Sequence, residues 1–322
     1  MDWETGYCPN RRCEHYGKPF KMGRFVDKGR RRGEPQVRGQ TCGSTVTLRY
    51  GTAYYGLEAE PVKFETALRA RAEGNSLRAT ARSVEVDKDT VCAWRDRGAR
   101  QCRSVILALW RNLPVTEGPL DEGWGLIPTQ QENRPGAKES IETDGDAGVG
   151  WAFAPVWRWV LGFVIGTQDP PGADRLLEHV AWVTEETVPF FTSDQGPAYT
   201  QALLKTYGEG YCPLRRGARG CQPKPRQRPC STLLYAQVIK QRTGGRMTAL
   251  STPVVFGDPA GVAARLAQSP VRPTINPSFV ERDPRTQRPQ NRRLTRRTNG
   301  FSKAFSGFEK QRGLSLAYYP FV

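Results

Sequence analysis

The spacing of hydrophobic residues between positions 64 and 102 is that of short helices. The first helix carries a stripe that stops before Gly74, and Ser76 can then cap a second helix, which "EVDKD" separates from a third. The residues predicted to face inward are Phe64, Ala67, Leu68, Ala72, Leu77, Ala81, Val84, Val91 and Trp94. Helices joined by a short turn predict a helix-turn-helix, a motif that places its last helix in the major groove of DNA. A small three-helix bundle with a solvated basic face fits the same spacing.

Beyond position 116 the pattern changes to strands. "PLDEGWGL" predicts a weak strand that carries Asp121, and "TVPFFTSDQGPAY" predicts a later strand with Asp194 at its end. Between them, Pro155 and Arg158 interrupt a long apolar run, which therefore predicts two buried strands joined by a turn and not a membrane span. "ADRLLEHVAWV" and a segment from about position 198 to 207 predict helices. Elements in this order predict an α/β fold with a mixed sheet.

The charge of the chain points to a phosphate-bearing partner. The formal net charge is +16, and ten Lys or Arg residues stand between Arg282 and Arg312 against two acids. Such side chains release condensed counterions when they meet a nucleic-acid backbone. The N-terminus lacks the basic and apolar segments of a signal peptide, so we expect a cytoplasmic protein. In that compartment the eight cysteines are expected to be metal ligands or free thiols and not disulfides.

Two cysteine-containing segments are similar to the halves of a zinc ribbon. "CPNRRCEHYGK" supplies Cys8 and Cys13, and "RGQTCGSTVTL" supplies Cys42, but Gly39 stands where a partner for Cys42 is expected. His15 could complete a four-ligand zinc site, or the ribbon could be free of metal. Three further thiols, which lack ligand-pair spacing, are predicted to lie in a loop: Cys212, Cys221 and Cys230.

Three acids can converge at one edge of the predicted sheet. Asp121, Asp194 and a glutamate on a C-terminal helix, Glu281, would supply the anionic oxygen ligands that two divalent ions need for phosphodiester chemistry. A simpler interpretation makes Asp121 a turn residue, Asp194 a helix cap and Glu281 the ion-pair partner of a neighbouring arginine. The first acid could also be a different residue: Glu122, Asp144 or Asp146.

Several strings together resemble one known family. The cysteine pairs, the predicted helix-turn-helix, "LDEGW", "FFTSDQGPAY", "LLYAQVIKQR", "VFG" and "FVER…NRRLTRRTNGFSK" resemble bacterial insertion-sequence transposases of the insertion-sequence-one type. The resemblance implies a DDE catalytic domain of RNase H-like fold in which Asp121, Asp194 and Glu281 bind Mg²⁺ or Mn²⁺. It also implies metal-dependent DNA strand cleavage and strand transfer at the element's ends, by a homo-oligomer assembled on double-stranded DNA. Arg288 would contact the DNA end.

These expectations divide the chain into three parts: a zinc-ribbon-like segment (1–58), a helix-turn-helix domain (59–105) and an RNase H-like catalytic domain (116–322). The predicted DNA contacts lie on the third helix and in the C-terminal basic run: Arg95, Arg97, Arg100, Arg288, Arg292, Arg293, Arg296 and Arg297. Pro284 and Pro289 interrupt the segment that should form one helix after Glu281. A catalytically inactive DNA-binding remnant or regulator of a mobile element is therefore the alternative. An RNA-binding protein is a weaker one, because no aromatic-rich strand pair is present.

Overall fold

A computed structural model describes residues 6–31, 33–127, 145–166, 170–214, 223–244, 246–271, 273–275, 302 and 304–321. The N-terminal part contains a three-stranded antiparallel sheet in the order β1 (Phe25–Arg31), β2 (Glu34–Gly39) and β3 (Thr45–Thr47). Its small core contains Cys8, Phe20, Phe25, Val37 and Val46. A core of this size gains stability from any additional cross-link.

Three packed helices follow, namely α1 (Pro61–Ala72), α2 (Leu77–Val84) and α3 (Lys88–Leu109). The Ser76 hydroxyl accepts a hydrogen bond from the backbone N–H of Ala79 at 3.1 Å, so the predicted cap of α2 is confirmed. Most of the positions predicted to face inward are buried in one cluster, which includes Phe64, Ala67, Ala81, Val84, Val91 and Trp94. The third helix is longer than predicted and continues past position 102.

The largest sheet is mixed and contains seven of the described strands. Its first strands are β4 (Glu117–Ile127), β5 (Gly145–Ala154) and β6 (Trp159–Gly166), which pair antiparallel. They are followed by α4 (Pro170–Thr184), β7 (Phe190–Asp194), α5 (Pro197–Tyr207) and a small two-stranded sheet of β8 (Gly208–Tyr211) and β9 (Arg226–Pro229). The remaining elements are β10 (Tyr235–Thr243), β11 (Arg246–Ser251), β12 (Val254–Phe256), α6 (Pro259–Ala267) and α7 (Phe305–Phe321).

The strand order of this sheet is β11-β10-β7-β4-β5-β6, and β12 also pairs with β10. Strand β7 is parallel to both β4 and β10, whereas the remaining pairs are antiparallel. The prediction of a mixed sheet with helices is therefore confirmed, as are the two strands joined by a turn between positions 149 and 166. No described helix is long and apolar enough to cross a membrane.

Strand β4 is well formed although it contains several poor strand formers, among them Gly118 and Gly123. Gly123 faces the Trp151 ring, and a Cβ at this position would lie only 2.6 Å from the Trp151 Cη2 atom. Gly118 similarly lies under the ring of Phe191. The glycines therefore make room for large aromatic side chains on the neighbouring strands, which compensates for their low strand propensity.

The sheet has a hydrophobic core on each face. Helices α4 and α5 cover one face, where the buried residues include Leu120, Leu161, Leu176, Val180, Phe191 and Leu203. Helix α7 covers part of the other face, where Phe308 and Leu316 pack with Trp151, Phe153 and Val160. Both faces of β4 and β5 are thus buried.

Helix α7 also packs against α1 and α3, so it lies between the three-helix unit and the sheet. The Gln311 side-chain amide donates a hydrogen bond to the backbone oxygen of Arg71 at 2.8 Å, and Lys310 pairs with Asp96 at 2.6 Å. The side chain of Gln311 is 1% exposed. This helix therefore joins the two units through one buried and one partly exposed polar contact as well as through apolar ones.

Candidate functional site

Asp121 and Asp194 lie on neighbouring strands at the same level of the sheet. Parallel strands β4 and β7 pair Glu117 with Phe190 and Pro119 with Thr192. The same register, continued by two residues, places Asp121 opposite Asp194. Two of the three predicted catalytic acids thus lie on neighbouring parallel strands, two residues beyond the last paired residues.

The two aspartates also lie on the same face of the sheet. Side chains alternate along a strand, so Asp121 lies on the face of its cross-strand partner Trp151, which packs beneath α7. In β7, Phe191 belongs to the core under α4 and α5, whereas Phe190 packs with Ala236 on the opposite side. Asp194 follows the alternation of Phe190. The carboxylates are therefore presented on the face opposite α4 and α5, at the end of β7.

Asp194 is paired with a lysine. The Nζ atom of Lys240 lies 3.0 Å from each carboxylate oxygen of Asp194. Asp194 remains well exposed, at 61% of its side chain, whereas Lys240 is 14% exposed. Asp121 is half-buried, and its Oδ1 atom accepts a hydrogen bond from the backbone N–H of Glu122 at 2.7 Å.

Glu122, the alternative first acid, lies on the other face of the sheet. It lines a cavity of about 30 Å³ together with Gly150, Leu176 and Tyr199. Glu122 as a whole is exposed, but protein atoms surround its carboxyl group. Burial of that group is the main cause that raises the pKa of Glu122. Burial and the Glu122 charge likewise raise the pKa of Tyr199. Glu122 therefore pairs with a tyrosine on α5, away from the face that presents Asp121 and Asp194.

A hydrogen-bond network supports the end of β7. The Ser193 hydroxyl lies 2.8 Å from the Tyr235 hydroxyl, and Gln237 Nε2 donates to the backbone oxygen of Gly196 at 3.1 Å. Ser193 and Tyr235 are buried. The network ties β7, β10 and the start of α5 together, so it fixes the backbone that carries Asp194.

Several predicted site residues lie outside the part of the chain that the structure describes: Glu281, Arg288, Arg292, Arg293, Arg296 and Arg297. Asp144 and Cys221 are also outside it. Asp146 lies in β5 as the cross-strand partner of Leu126. Cys212 is exposed, and Cys230 lies at the edge of the core under α4 and α5.

The three arginines of α3 have different surroundings, and one expectation is corrected. Arg95 is 5% exposed, and its Nε atom donates to Asp96 Oδ1 at 2.9 Å. It lies on the side of α3 that α7 covers, as shown by the close approach of Gly307. Arg95 is therefore not available to DNA in this arrangement. Arg97 is half-buried and Arg100 is exposed.

Three cysteines form a compact group in the N-terminal unit. The Sγ atoms of Cys8, Cys13 and Cys42 all lie within 4.8 Å of one another, and His15 is not part of this group. The His15 Nδ1 atom is buried without a hydrogen-bond partner, while Nε2 lies 3.2 Å from Glu14. A Cβ at Gly39 would lie 3.0 Å from Cys42 Sγ, so the missing side chain at this position would point at the thiols.

The thiols of this group differ in acidity. Burial raises the pKa of Cys8 to about 11, whereas a hydrogen bond from Ser44 is the main cause that lowers the pKa of Cys42 to about 7. Three thiols at this separation are a donor set that suits zinc, which favours tetrahedral sulfur ligation.

Sequence reasoning missed Lys240, and a signal for it was present. In "LLYAQVIKQR", Ala236 and Val238 alternate on one face of β10 and both are buried. Lys240 continues that alternation, so a charged residue stands at a position expected to be apolar. Such a break in the pattern indicates a partner of opposite charge.

Among known proteins, only solved structures are similar to this chain at the level of the comparisons that follow. No protein-family model matches this sequence, and no curated protein matches it. The Mos1 strand transfer complex matches with 13% identity over 46% of this chain and 55% of that chain, with a TM-score of 0.20. Mos1 mariner paired end complexes with Mn and with Mg match with 11% and 13% identity, over 46% and 47% of this chain and 56% and 59% of those chains, with TM-scores of 0.19 and 0.18. The match thus spans little more than half the length of those chains.

Proposed function

We propose that this chain is a DDE-type DNA transposase, which cleaves and joins DNA strands with the help of divalent ions. The observation that supports the proposal most is the placement of Asp121 and Asp194 at one level and on one face of two parallel strands. The strand order of the sheet makes β4, which carries Asp121, the neighbour of β7, which carries Asp194. This placement fits the RNase H-like catalytic domain that the resemblance implies, in which the acids meet at one edge of the sheet. Glu281 would supply the third carboxylate.

The chemistry of the two aspartates suits Mg²⁺ or Mn²⁺, because both ions take carboxylate oxygens as ligands. Bound there, such ions would stabilise charge on the attacking and leaving oxygens of a phosphodiester. The protein's part is to hold the carboxylates in place: β4 and β7 fix their backbones, and the Ser193–Tyr235 contact supports the end of β7. The exposure of Asp194 leaves that side of the site open to a DNA strand.

Duplex DNA is the proposed partner, and α3 is proposed to contact it as the last helix of a helix-turn-helix. Helices α2 and α3 are joined by a short turn in which Glu85 has a φ of 56°. Arg97 and Arg100 remain accessible on α3, and the net charge of +16 favours binding to phosphates. The arginines between positions 288 and 297 are proposed to add contacts near the cut end, on a homo-oligomer assembled on the element's ends.

Zinc is proposed to bind at Cys8, Cys13 and Cys42, in a ribbon-like N-terminal domain. The three thiols form the larger part of a tetrahedral set, and His15 or a solvent molecule would complete it. The small core of this unit gives such an ion a structural role.

The proposed function is tested by separating cleavage from binding. We expect wild-type protein with Mg²⁺ or Mn²⁺ to nick a duplex that carries the candidate terminal repeat, and Asp194→Asn to abolish nicking while DNA binding stays nearly intact. The matched control is Asp174→Asn, which neutralises a half-buried aspartate that pairs with Lys205 on α5, on the other face of the sheet. This control should nick at the wild-type rate.

The alternative function, a DNA-binding remnant or regulator, has its own outcome in the same assay. Wild-type protein that binds the repeat and never nicks it would favour the alternative. The helix-breaking Pro284 and Pro289 would then be the first residues to replace, with Asn and Gln respectively. Loss of binding together with cleavage in Asp194→Asn would instead assign that residue a role in folding.

A further inference from the structure

Lys240 contacts Asp194 in the way a bound cation would. Its Nζ atom is equidistant from the two carboxylate oxygens, at 3.0 Å from each. The lysine is 14% exposed, so its stem is packed and its ammonium group is not free to move through solvent as a surface lysine does.

The fold places Lys240 there for a simple geometric reason. In the parallel pair of β7 and β10, Val238 is the register partner of Asp194. Lys240 stands two residues further along β10 and therefore lies on the same face of the sheet as Val238. Its side chain reaches back over the end of β7, where the Asp194 carboxylate is located.

We propose that Lys240 is a positioning residue that occupies the cation position at Asp194 until a divalent ion displaces it. The inference rests on the proposed function in one respect, namely that Asp194 binds such an ion. Mg²⁺ or Mn²⁺ would lie about 2.0–2.2 Å from a carboxylate oxygen, and an ammonium group held by both oxygens excludes an ion from the same position. Lys240 therefore keeps Asp194 neutralised and oriented, and competes with the metal.

A purely structural salt bridge makes the opposite prediction. If Lys240 only orients Asp194, its removal leaves a carboxylate that is less well placed, and metal affinity falls. If Lys240 competes with the ion, its removal frees the carboxylate, and metal affinity rises. The direction of the change therefore separates the two roles.

The experiment measures Mn²⁺ binding to the full chain without DNA, by the electron paramagnetic resonance signal of free Mn²⁺. We expect Lys240→Met to bind Mn²⁺ about two- to fivefold more tightly than wild type, which is the scale of one partly exposed ion pair. Lys240→Arg keeps the positive charge and should return the affinity to near the wild-type value. Lys205→Met is the matched control, because it removes a lysine that pairs with Asp174 at 2.7 Å on the other face of the sheet. It should leave Mn²⁺ affinity unchanged.

Asp194→Asn in the Lys240→Met background tests whether the gained Mn²⁺ affinity depends on the Asp194 carboxylate. If it does, this second substitution should remove the gain. Unchanged or weaker Mn²⁺ binding by a folded Lys240→Met variant would overturn the inference, as would a gain that survives Asp194→Asn. Failure of the proposed function gives a different result. In that case the gain at Lys240→Met is present and depends on Asp194, yet the wild-type protein cuts no DNA.

Discussion

At the residue scale, His179 shows how the fold holds a titratable group in an uncharged state. Its ring packs on Gly162, where a Cβ would lie 2.4 Å from the His179 Cδ2 atom, and it stacks on Trp182 with 5.8 Å between ring centroids. Burial is the main cause that lowers the pKa of His179, and the charge of Arg103 adds to it. The folded protein therefore binds this proton less readily than the unfolded chain does.

The free energy of unfolding should consequently depend on pH through His179. Because the unfolded chain takes up the proton near pH 6.5 and the folded one only at lower pH, stability is full above that value and falls as the pH decreases. We expect urea unfolding of wild-type protein to show this loss between about pH 7 and pH 5. His179→Gln should reduce the slope of the free energy of unfolding against pH, whatever its effect on stability at pH 7. An equal slope in both proteins would contradict the assignment.

The cysteine group allows a second prediction at the residue scale. Purified protein should carry about one zinc ion per chain, since structural zinc takes four ligands and three are already together. Cys42→Ser should lose the ion, and His15→Ala should lose it if His15 is the fourth ligand. Cys212→Ser is the control, because that thiol is exposed and outside the group. Zinc content by mass spectrometry measures each case.

Gly39→Cys should tighten zinc binding, because the new side chain would point at the thiols. Phe25 would have to move by a few tenths of an ångström, since its ring lies 3.0 Å from the added Cβ. Competition with a chelator compares the two affinities. A folded Gly39→Cys protein that binds zinc no better than wild type would show that this position does not face the ion.

At the element scale, α7 is the feature with the clearest energetic consequence. Gln311→Met keeps the side-chain volume but removes the hydrogen bonds that Gln311 makes with Arg71 inside the interface. We expect it to lower the free energy of unfolding by about 1–3 kcal/mol, because a buried polar partner is left unsatisfied. The midpoint of urea denaturation measures this.

The control on the same helix is Glu309→Gln. Glu309 lies 3.7 Å from Arg103, and both side chains are largely exposed, at 46% and 74%. Exposed pairs contribute little, so this change should alter the free energy of unfolding by no more than about 0.5 kcal/mol. Equal effects of the two substitutions would mean that the buried hydrogen bonds carry no special weight.

The elements differ in how well the sequence predicts them, for physical reasons. Helices α1 and α2 have one buried side, so their hydrophobic period is visible. Strands β5, β6 and β7 are buried on both faces, so they stand out in the sequence as short apolar runs. Helix α7 is buried on both sides, and polar residues such as Gln311 and Ser315 lie inside its contacts. A helix without a polar face has no amphipathic period to detect, and its packing between two units was not predicted.

The same reasoning applies to the site. Asp194 was predictable because it ends a short strand that begins with two buried phenylalanines. Asp121 was harder to predict, because glycines make β4 a weak strand in the sequence. Only the structure shows that aromatic rings on the neighbouring strands fill the space beside these glycines. The burial of Arg95 depends on α7, which lies more than 200 residues away along the chain. Contacts of this kind leave no local trace in the sequence.

At the scale of the whole molecule, the strong positive charge predicts how DNA binding responds to salt. The affinity for duplex DNA should fall steeply as salt rises, with a slope set by the number of phosphates contacted. Arg100→Ala should lower the slope of log affinity against log salt concentration by about one, as expected for the loss of a single phosphate contact. Arg95→Ala should lower stability instead and leave the slope unchanged, because Arg95 is buried against Asp96. Titrations at several salt concentrations measure both.

The position of α7 also has a consequence for how the chain is made. The partners of its contacts, Arg71 with Gln311 and Asp96 with Lys310, are separated by 240 and 214 residues. At translation rates of about 5–20 residues per second, α7 is synthesised on the order of tens of seconds after α1 and α3, whose surface it covers. During that interval Arg71 and Arg95 face solvent in the nascent protein. Assembly of the finished molecule is therefore a late event, limited by synthesis and not by the folding of its first helices.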